Sequence, residues 1–275
     1  MSPRLLDDVT AVLLAPNPSP MTLDGTNTYL LGVPGSGGVV VVDPGPDLLD
    51  HRRAVDEAVG ARDANVAAVV VTHHHADHAE AAGWAAQWGA QLHAFSPHLV
   101  DAEAAPLRDG EVISAAGVHL EALHTPGHAS DHLCLRVAET GAVLTGDHVL
   151  GRGTTVVAHP DGDMAAYVSS LERLLAVDAP VLYPGHGPVV DRPREVVSGY
   201  LAHRRERERQ VLDALAAGDA TPAEVVARVY ADVDPVLHPA AERSVRAHLD
   251  QLVDEERASR IVDPSRAGRD DTYRV

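Results

Sequence analysis

Lysine is absent from this 275-residue chain, and all 22 basic residues are arginine. Forty acidic residues outweigh them, for a formal net charge of −18. The imbalance lies mostly before residue 204: residues 1–203 hold 10 Arg against 25 acids, and residues 204–275 hold 12 against 15. A chain this acidic repels polyanions at long range and lacks the basic face of a general nucleic-acid binder. The single cysteine, Cys134, excludes an internal disulfide. Aromatic residues make up only 3%, so Val, Leu and Ala must fill the core. No apolar run approaches the roughly 18 residues of a membrane span, and no basic stretch with an apolar run behind it opens the chain. The expectation is a cytoplasmic protein with no membrane partner. Oligomeric state is not legible.

What is present is organised by turns. Val9–Leu14, Thr28–Val33 and Gly38–Val42 read as strands separated by Asn17-Pro18, Asp24-Gly25 and Pro34-Gly35. Leu48–Val59 has helical periodicity, and Val66–Val71 is a continuous apolar run of the kind buried strands show. Ala79–Trp88 reads as one helix. Further short strands lead to a helix over Asp163–Val177. Runs of strands with helices between them suggest an α+β fold in which two mixed sheets pack face to face. After Pro193 the texture becomes helical. Thr221-Pro222-Ala223-Glu224 is a capping box with proline at the first helical position. We therefore expect a catalytic domain over residues 1–192 and a small winged-helix-like domain over 193–275. The mixed-charge run Arg204–Arg209 reads as a solvated helix face.

The chain has 17 histidines, and their placement matters more than their number. Thr72-His73-His74-His75-Ala76-Asp77-His78 follows the apolar run 66–71 and opens the next helix. In an extended segment His73 and His75 project to one side. Asp77 and His78 lie one turn on and can face a second point. Imidazole and carboxylate are ligands that Zn²⁺ prefers. A His-rich loop alone could simply be solvated. Three downstream segments argue otherwise: Thr125-Pro126-Gly127-His128, Leu144-Thr145-Gly146-Asp147 and Tyr183-Pro184-Gly185-His186. Each is the end of a short apolar strand, a glycine turn and a candidate ligand. Glycine permits the tight backbone that turns a side chain inward.

This series resembles the ligand set of the metallo-β-lactamase superfamily. The resemblance implies a four-layer αβ/βα sandwich with two metal ions at one edge of the sheets. It implies that His73, His75 and His128 hold the first metal, that Asp77, His78 and His186 hold the second, and that Asp147 bridges both. Asp77 and Asp147 are then the catalytic carboxylates. Asp43, in Val42-Asp43-Pro44-Gly45, resembles the family's early aspartate that supports the ligand loop. By the same resemblance His132 supports the metals or holds substrate, or else is a buried hydrogen-bonded histidine, and Asn27 lines the site beside ligands or substrate or, the reading favoured here, caps a turn. Diiron members carry Glu where His75 stands, so His75 favours zinc, although iron or manganese would accept the same ligands. The stretches Asn17–Tyr29, Thr125–His132 and Gly146–Gly151 are similar to the lactamase-beta-like branch, which also carries a C-terminal winged-helix-like domain. That branch contains both thioesterases and a single-strand endoribonuclease.

The expected activity is hydrolysis by a metal-bridging hydroxide, which needs no serine or cysteine nucleophile. The acidity favours a small thioester or related carbonyl ester as substrate. A metal-dependent endoribonuclease acting on single-stranded RNA is the alternative. Its weakness is that the helix bearing Arg243 and Arg246 also carries Asp250, Asp254, Glu255 and Glu256. A third reading, a non-catalytic metal-binding or regulatory protein, fits poorly with a complete ligand series.

Overall fold

A computed structural model describes residues 2–218, 220–262 and 271–275. Within it the chain forms two compact units. The first comprises residues 1–125, 131–154 and 177–194, and the second residues 126–130, 155–176 and 195–275.

The first unit contains two sheets. Seven strands lie side by side in chain order: β1 (Arg4–Leu5), β2 (Thr10–Leu14), β3 (Asn27–Leu31), β4 (Gly38–Val42), β5 (Asn65–Val70), β6 (Gln91–Ala94) and β7 (Ala105–Pro106). The pairing is antiparallel from β1 to β4 and parallel from β4 to β7. The second sheet holds β8 (Val112–Ala115), β9 (Val118–His124), β10 (Leu133–Val137), β11 (Val143–Gly146) and β12 (Leu182–Pro184), in the order β12-β11-β10-β9-β8.

The two-residue period of a strand sorts the run Val39–Val42 onto two faces. Val40 and Val42 join Leu31, Leu120, Leu135 and Leu144 in the core between the sheets. Val39 and Val41 join Val55 and Val59 of α1 (Leu49–Gly60) on the opposite face. Aliphatic side chains dominate both layers, as the scarcity of aromatics requires.

The helix expected over Ala79–Trp88 is broken. It forms as α2 (Ala76–Ala79), a 3₁₀ turn (Glu80–Gly83) and α3 (Trp84–Trp88). The cause is a diversion of backbone hydrogen bonds. The Ala81 N–H donates to the Gly45 carbonyl, and the Gly45 N–H donates to the His78 carbonyl. The loop after β4 therefore takes up groups that a continuous helix would pair internally.

The second unit contains α4 (Met164–Val177), apart from its last residue, and α5 (Pro193–Ala216), apart from its first two. It continues with α6 (Pro222–Val229), α7 (His238–Asp254) and an antiparallel pair of β13 (Ser259–Ile261) with β14 (Thr272–Arg274). The capping box at Thr221 is formed in both directions with Glu224. Val211, Leu215, Val225, Val245, Leu249, Leu252 and Tyr273 make the core of this helical end. Among the described residues no helix is long and apolar enough to cross a membrane.

Candidate metal centre

Each proposed ligand of the first unit leaves a strand end, where the backbone is held by neighbouring strands. His73, His75, Asp77 and His78 follow β5 and enter α2. Asp147 follows β11, and His186 follows β12. The structure brings Asp77, His78, Asp147 and His186 into one cluster. His186 Nε2 lies 3.0 Å from Asp77 Oδ2 and 3.3 Å from Asp147 Oδ1. His78 Nε2 lies 3.4 Å from Asp147 Oδ1, 3.7 Å from Asp77 Oδ2 and 3.2 Å from His186 Nε2.

These spacings are those of a coordination shell. Ligand atoms about 2.0–2.1 Å from a tetrahedral zinc stand roughly 3.3–3.5 Å from one another. The imidazole tautomers agree. His78 Nδ1 donates to Asp43 Oδ2 at 2.8 Å, and His186 Nδ1 donates to the Gly25 carbonyl at 3.1 Å. With Nδ1 committed to these acceptors, Nε2 is in each ring the nitrogen that a metal could take in exchange for a proton. The donor set fits a divalent metal.

The electrostatics point the same way. Burial alone would raise the carboxyl of Asp77, but His78 and His186 bring it down to about 2. Burial likewise opposes ionisation of Asp147, and the same two histidines hold it well below the carboxylate range. Burial would lower His186, yet Asp147 and Asp77 push it up to about 9. Two anionic carboxylates facing two imidazoles form a pocket that favours positive charge.

His73 and His75 form an adjoining pair. His73 Nε2 is 3.0 Å from His75 Nδ1, and the His73 ring centroid is 4.3 Å from that of His78. His128 belongs to the second unit, in the turn 126–130, where its Nδ1 donates to the Val156 carbonyl at 2.7 Å. A carbonyl only accepts, so Nδ1 carries a proton here and Nε2 is the nitrogen that a metal could take.

Asp43 is the hub beneath the ligands. Its Oδ1 accepts from the Thr72 N–H at 2.7 Å. Its Oδ2 accepts from Thr72 Oγ1 at 2.9 Å and from His78 Nδ1 at 2.8 Å. Thr72 Oγ1 in turn accepts from His73 Nδ1 at 3.0 Å. One carboxylate thus orients imidazoles on both sides of the ligand loop. Asn27 clamps the turn around His186 by donating to the Pro184 and Gly187 carbonyls at 2.9 and 3.0 Å. His132 Nε2 accepts the Asp147 N–H at 3.1 Å, which fixes the backbone of that carboxylate. Both residues are engaged with the ligand turns.

Sequence reasoning missed two groups. Thr72 was visible only as the residue before the histidines, and its relay role needs the position of Asp43. Asp131 is buried and pairs with His74 at 2.8 Å. A lone aspartate in a turn gives no signal of that partner. The glycines are tighter than a turn alone demands. A Cβ on Gly185 would lie 2.7 Å from His78 Cε1 and 2.8 Å from Asp147 Oδ1.

Comparison with known proteins agrees with this geometry. The profile of the metallo-beta-lactamase superfamily matches residues 21–186, and that of the beta-lactamase associated winged helix domain matches residues 221–267. The chain belongs to the metallo-β-lactamase superfamily and is a hydrolase of that class carrying a C-terminal winged-helix domain. A Caenorhabditis elegans relative, beta-lactamase-like protein 2 homolog, is 31% identical over 265 residues, covering 90% of this chain and 85% of that protein. An Aspergillus chevalieri relative, atrochrysone carboxyl ACP thioesterase, is 35% identical over 240 residues, or 80% of this chain and 73% of that one. The crystal structure of a metallo-beta-lactamase family protein from Thermus thermophilus is similar with a TM-score of 0.80 at 25% identity, covering 96% of this chain and 98% of its own.

Proposed function

We propose that the protein is a dinuclear zinc hydrolase of small thioesters or related carbonyl esters. The observation that carries this reading is the Asp77, His78, Asp147, His186 cluster, whose facing nitrogen and oxygen atoms stand 3.0–3.7 Å apart. His73, His75 and His128 are proposed to hold the first ion. Asp77, His78 and His186 would hold the second, and Asp147 would be shared between the two. Bound zinc supplies a water nucleophile at neutral pH and an electrophile for the carbonyl oxygen.

The chain's own residues set the conditions for that chemistry. Asp43 fixes the His78 tautomer and, through Thr72, that of His73. His132 and Asn27 hold the turns from which Asp147 and His186 project. Asp77 and Asp147 are held ionised at neutral pH by His78 and His186, and so offer two carboxylates to a metal.

The substrate class rests on charge and on likeness. A relative sharing most of the chain is named a thioesterase. Within the second unit, a cleft of about 670 Å³ reaches Gly127 and Ser130, on either side of His128. Asp161, Asp163, Asp250, Asp254 and Glu255 line it, against Arg260 and His159. Such walls disfavour a polyphosphate chain and suit a small neutral substrate.

The test is a panel of thioesters, carboxylic esters, lactones, phosphodiesters and single-stranded RNA, assayed from low to moderate salt. Thioester cleavage that varies little with salt is expected. A nuclease contacting several phosphates would instead lose affinity by roughly 0.7 log unit per contact for each log unit of salt. Metal-dependent RNA cleavage with that slope, and no thioester turnover, would replace the proposed substrate.

A further inference from the structure

Arg204 stands apart from the charged run that contains it. Arg205 and Arg209 are solvent-exposed and pair with Glu172, and with Glu206 and Asp213. Arg204 is only 3% exposed. Among the described residues it contacts a carbonyl and an aromatic face, not a carboxylate. Nη2 donates to the Thr155 carbonyl, and the guanidinium carbon sits 5.0 Å from the Tyr167 ring centroid. The expectation of a solvated face thus fails for this residue. A guanidinium buried without an acid carries a large desolvation cost, which a purely structural position would meet more easily with an apolar side chain.

Both contacts lead to His128. The carbonyl next to that of Thr155 is Val156 O, which accepts His128 Nδ1–H at 2.7 Å. Tyr167 is fully buried and braces the turn that carries His128. A Cβ on Gly127 would lie 2.3 Å from the Tyr167 Cα, so the helix backbone at Tyr167 and the turn are packed as tightly as glycine allows. The Asp163 N–H also donates to the Gly127 carbonyl at 2.9 Å, and Ser170 Oγ to the Pro126 carbonyl at 2.8 Å. All these residues lie in the second unit.

We infer that Arg204 is a positioning residue that fixes the tautomer and direction of His128 by holding the 155–156 backbone from one side and Tyr167 from the other. The helical segment after residue 193 would then set metal affinity. The inference rests on the proposal that His128 is a metal ligand.

The test compares wild type, Arg204→Met and Arg204→Lys in the full chain. Three quantities are read: zinc affinity by competition with a chromophoric chelator, the visible absorption of cobalt-loaded protein, and the melting temperature of metal-free protein. Arg204→Met is expected to weaken one of two bound ions by about 10–100-fold, the usual effect of losing an outer partner of a ligand. The other ion should be held as before, and one set of cobalt bands should shift. Arg204→Lys keeps the charge and a donor, and should restore much of the loss. A lower metal-free melting temperature with both affinities and the cobalt bands unchanged would make Arg204 merely structural and overturn the inference. If Arg204→Met does not fold, unaltered affinity and spectrum in Arg204→Lys, which cannot reproduce both contacts in full, would overturn it as well. Wild type that binds no metal would instead remove the proposed function, and this inference with it.

Discussion

Asp43 and Asp147 are both buried carboxylates near the same imidazoles, yet they do different work. Asp43 accepts three hydrogen bonds from the ligand loop and from His78. Asp147 Oδ1 lies inside the cluster, 3.3 Å from His186 Nε2 and 3.4 Å from His78 Nε2. Removing an orienting group leaves the ligands present but less well aimed. Asp43→Ala should therefore lower metal affinity or activity by about 10–100-fold. Asp147→Ala should abolish hydrolysis, and Asp147→Asn should be nearly as severe, because a neutral amide is a poor ligand for two cations. Steady-state rates and metal content of the three variants check this. Equal losses at positions 43 and 147 would contradict the division of roles. The seven proposed ligands were legible as a series because each follows a strand and a turn. The residues that orient them were less so, since the hydrogen bond that His78 donates to Asp43 spans 35 positions.

At the scale of elements, the strand-end turns decide whether the ligands converge. Gly185 has no room for a side chain, because a Cβ would meet His78, Asp147 and the Gly146 backbone within 3.0 Å. Gly185→Ala should leave the sheets formed but displace His78 or Asp147. The expected result is near-native circular dichroism with at least one metal ion lost, and full retention of metal would show the turn to be more yielding than drawn. Strands were readable from apolar runs and turn residues. The break in the helix after His78 was not, because its cause is the Gly45 backbone, whose groups replace internal helix bonds. Edge strands of two residues, such as β1 and β7, are too short to carry any periodic signal.

In α7 the imidazole of His248 is buried, and burial with nearby Arg204 pushes it down to about 3. An exposed imidazole in the unfolded chain titrates near about 6.5. The unfolded state thus binds the proton first as pH falls. Stability from the neutral ring is complete above about pH 6.5 and is lost progressively toward about pH 3. His203, pushed down to about 4 by burial and by Arg204 and Arg207, acts in the same direction. His248→Leu should shrink the drop in urea midpoint between pH 7 and pH 5. An unchanged drop would place the acid sensitivity elsewhere.

For the whole molecule, the division read from sequence placed a boundary at residue 192 and treated the tail as an appendage. By its own contacts, the second unit also takes in residues 126–130 and 155–176, including His128. Turn chemistry marks where strands end but does not reveal which distant segments pack together, so this assignment of the 126–130 turn had no local signal. The net charge of −18 and the acidic cleft set up a field that attracts cations and repels polyanions. On the proposed function, this field and these ligands serve two zinc ions. The direct measurement is elemental analysis of protein purified without chelator, alongside thioesterase activity during stepwise removal and return of metal. Close to two zinc ions per chain are expected, with activity lost on removal, regained with zinc, and not recovered in Asp147→Ala. Full activity with one ion or none would contradict the proposed function.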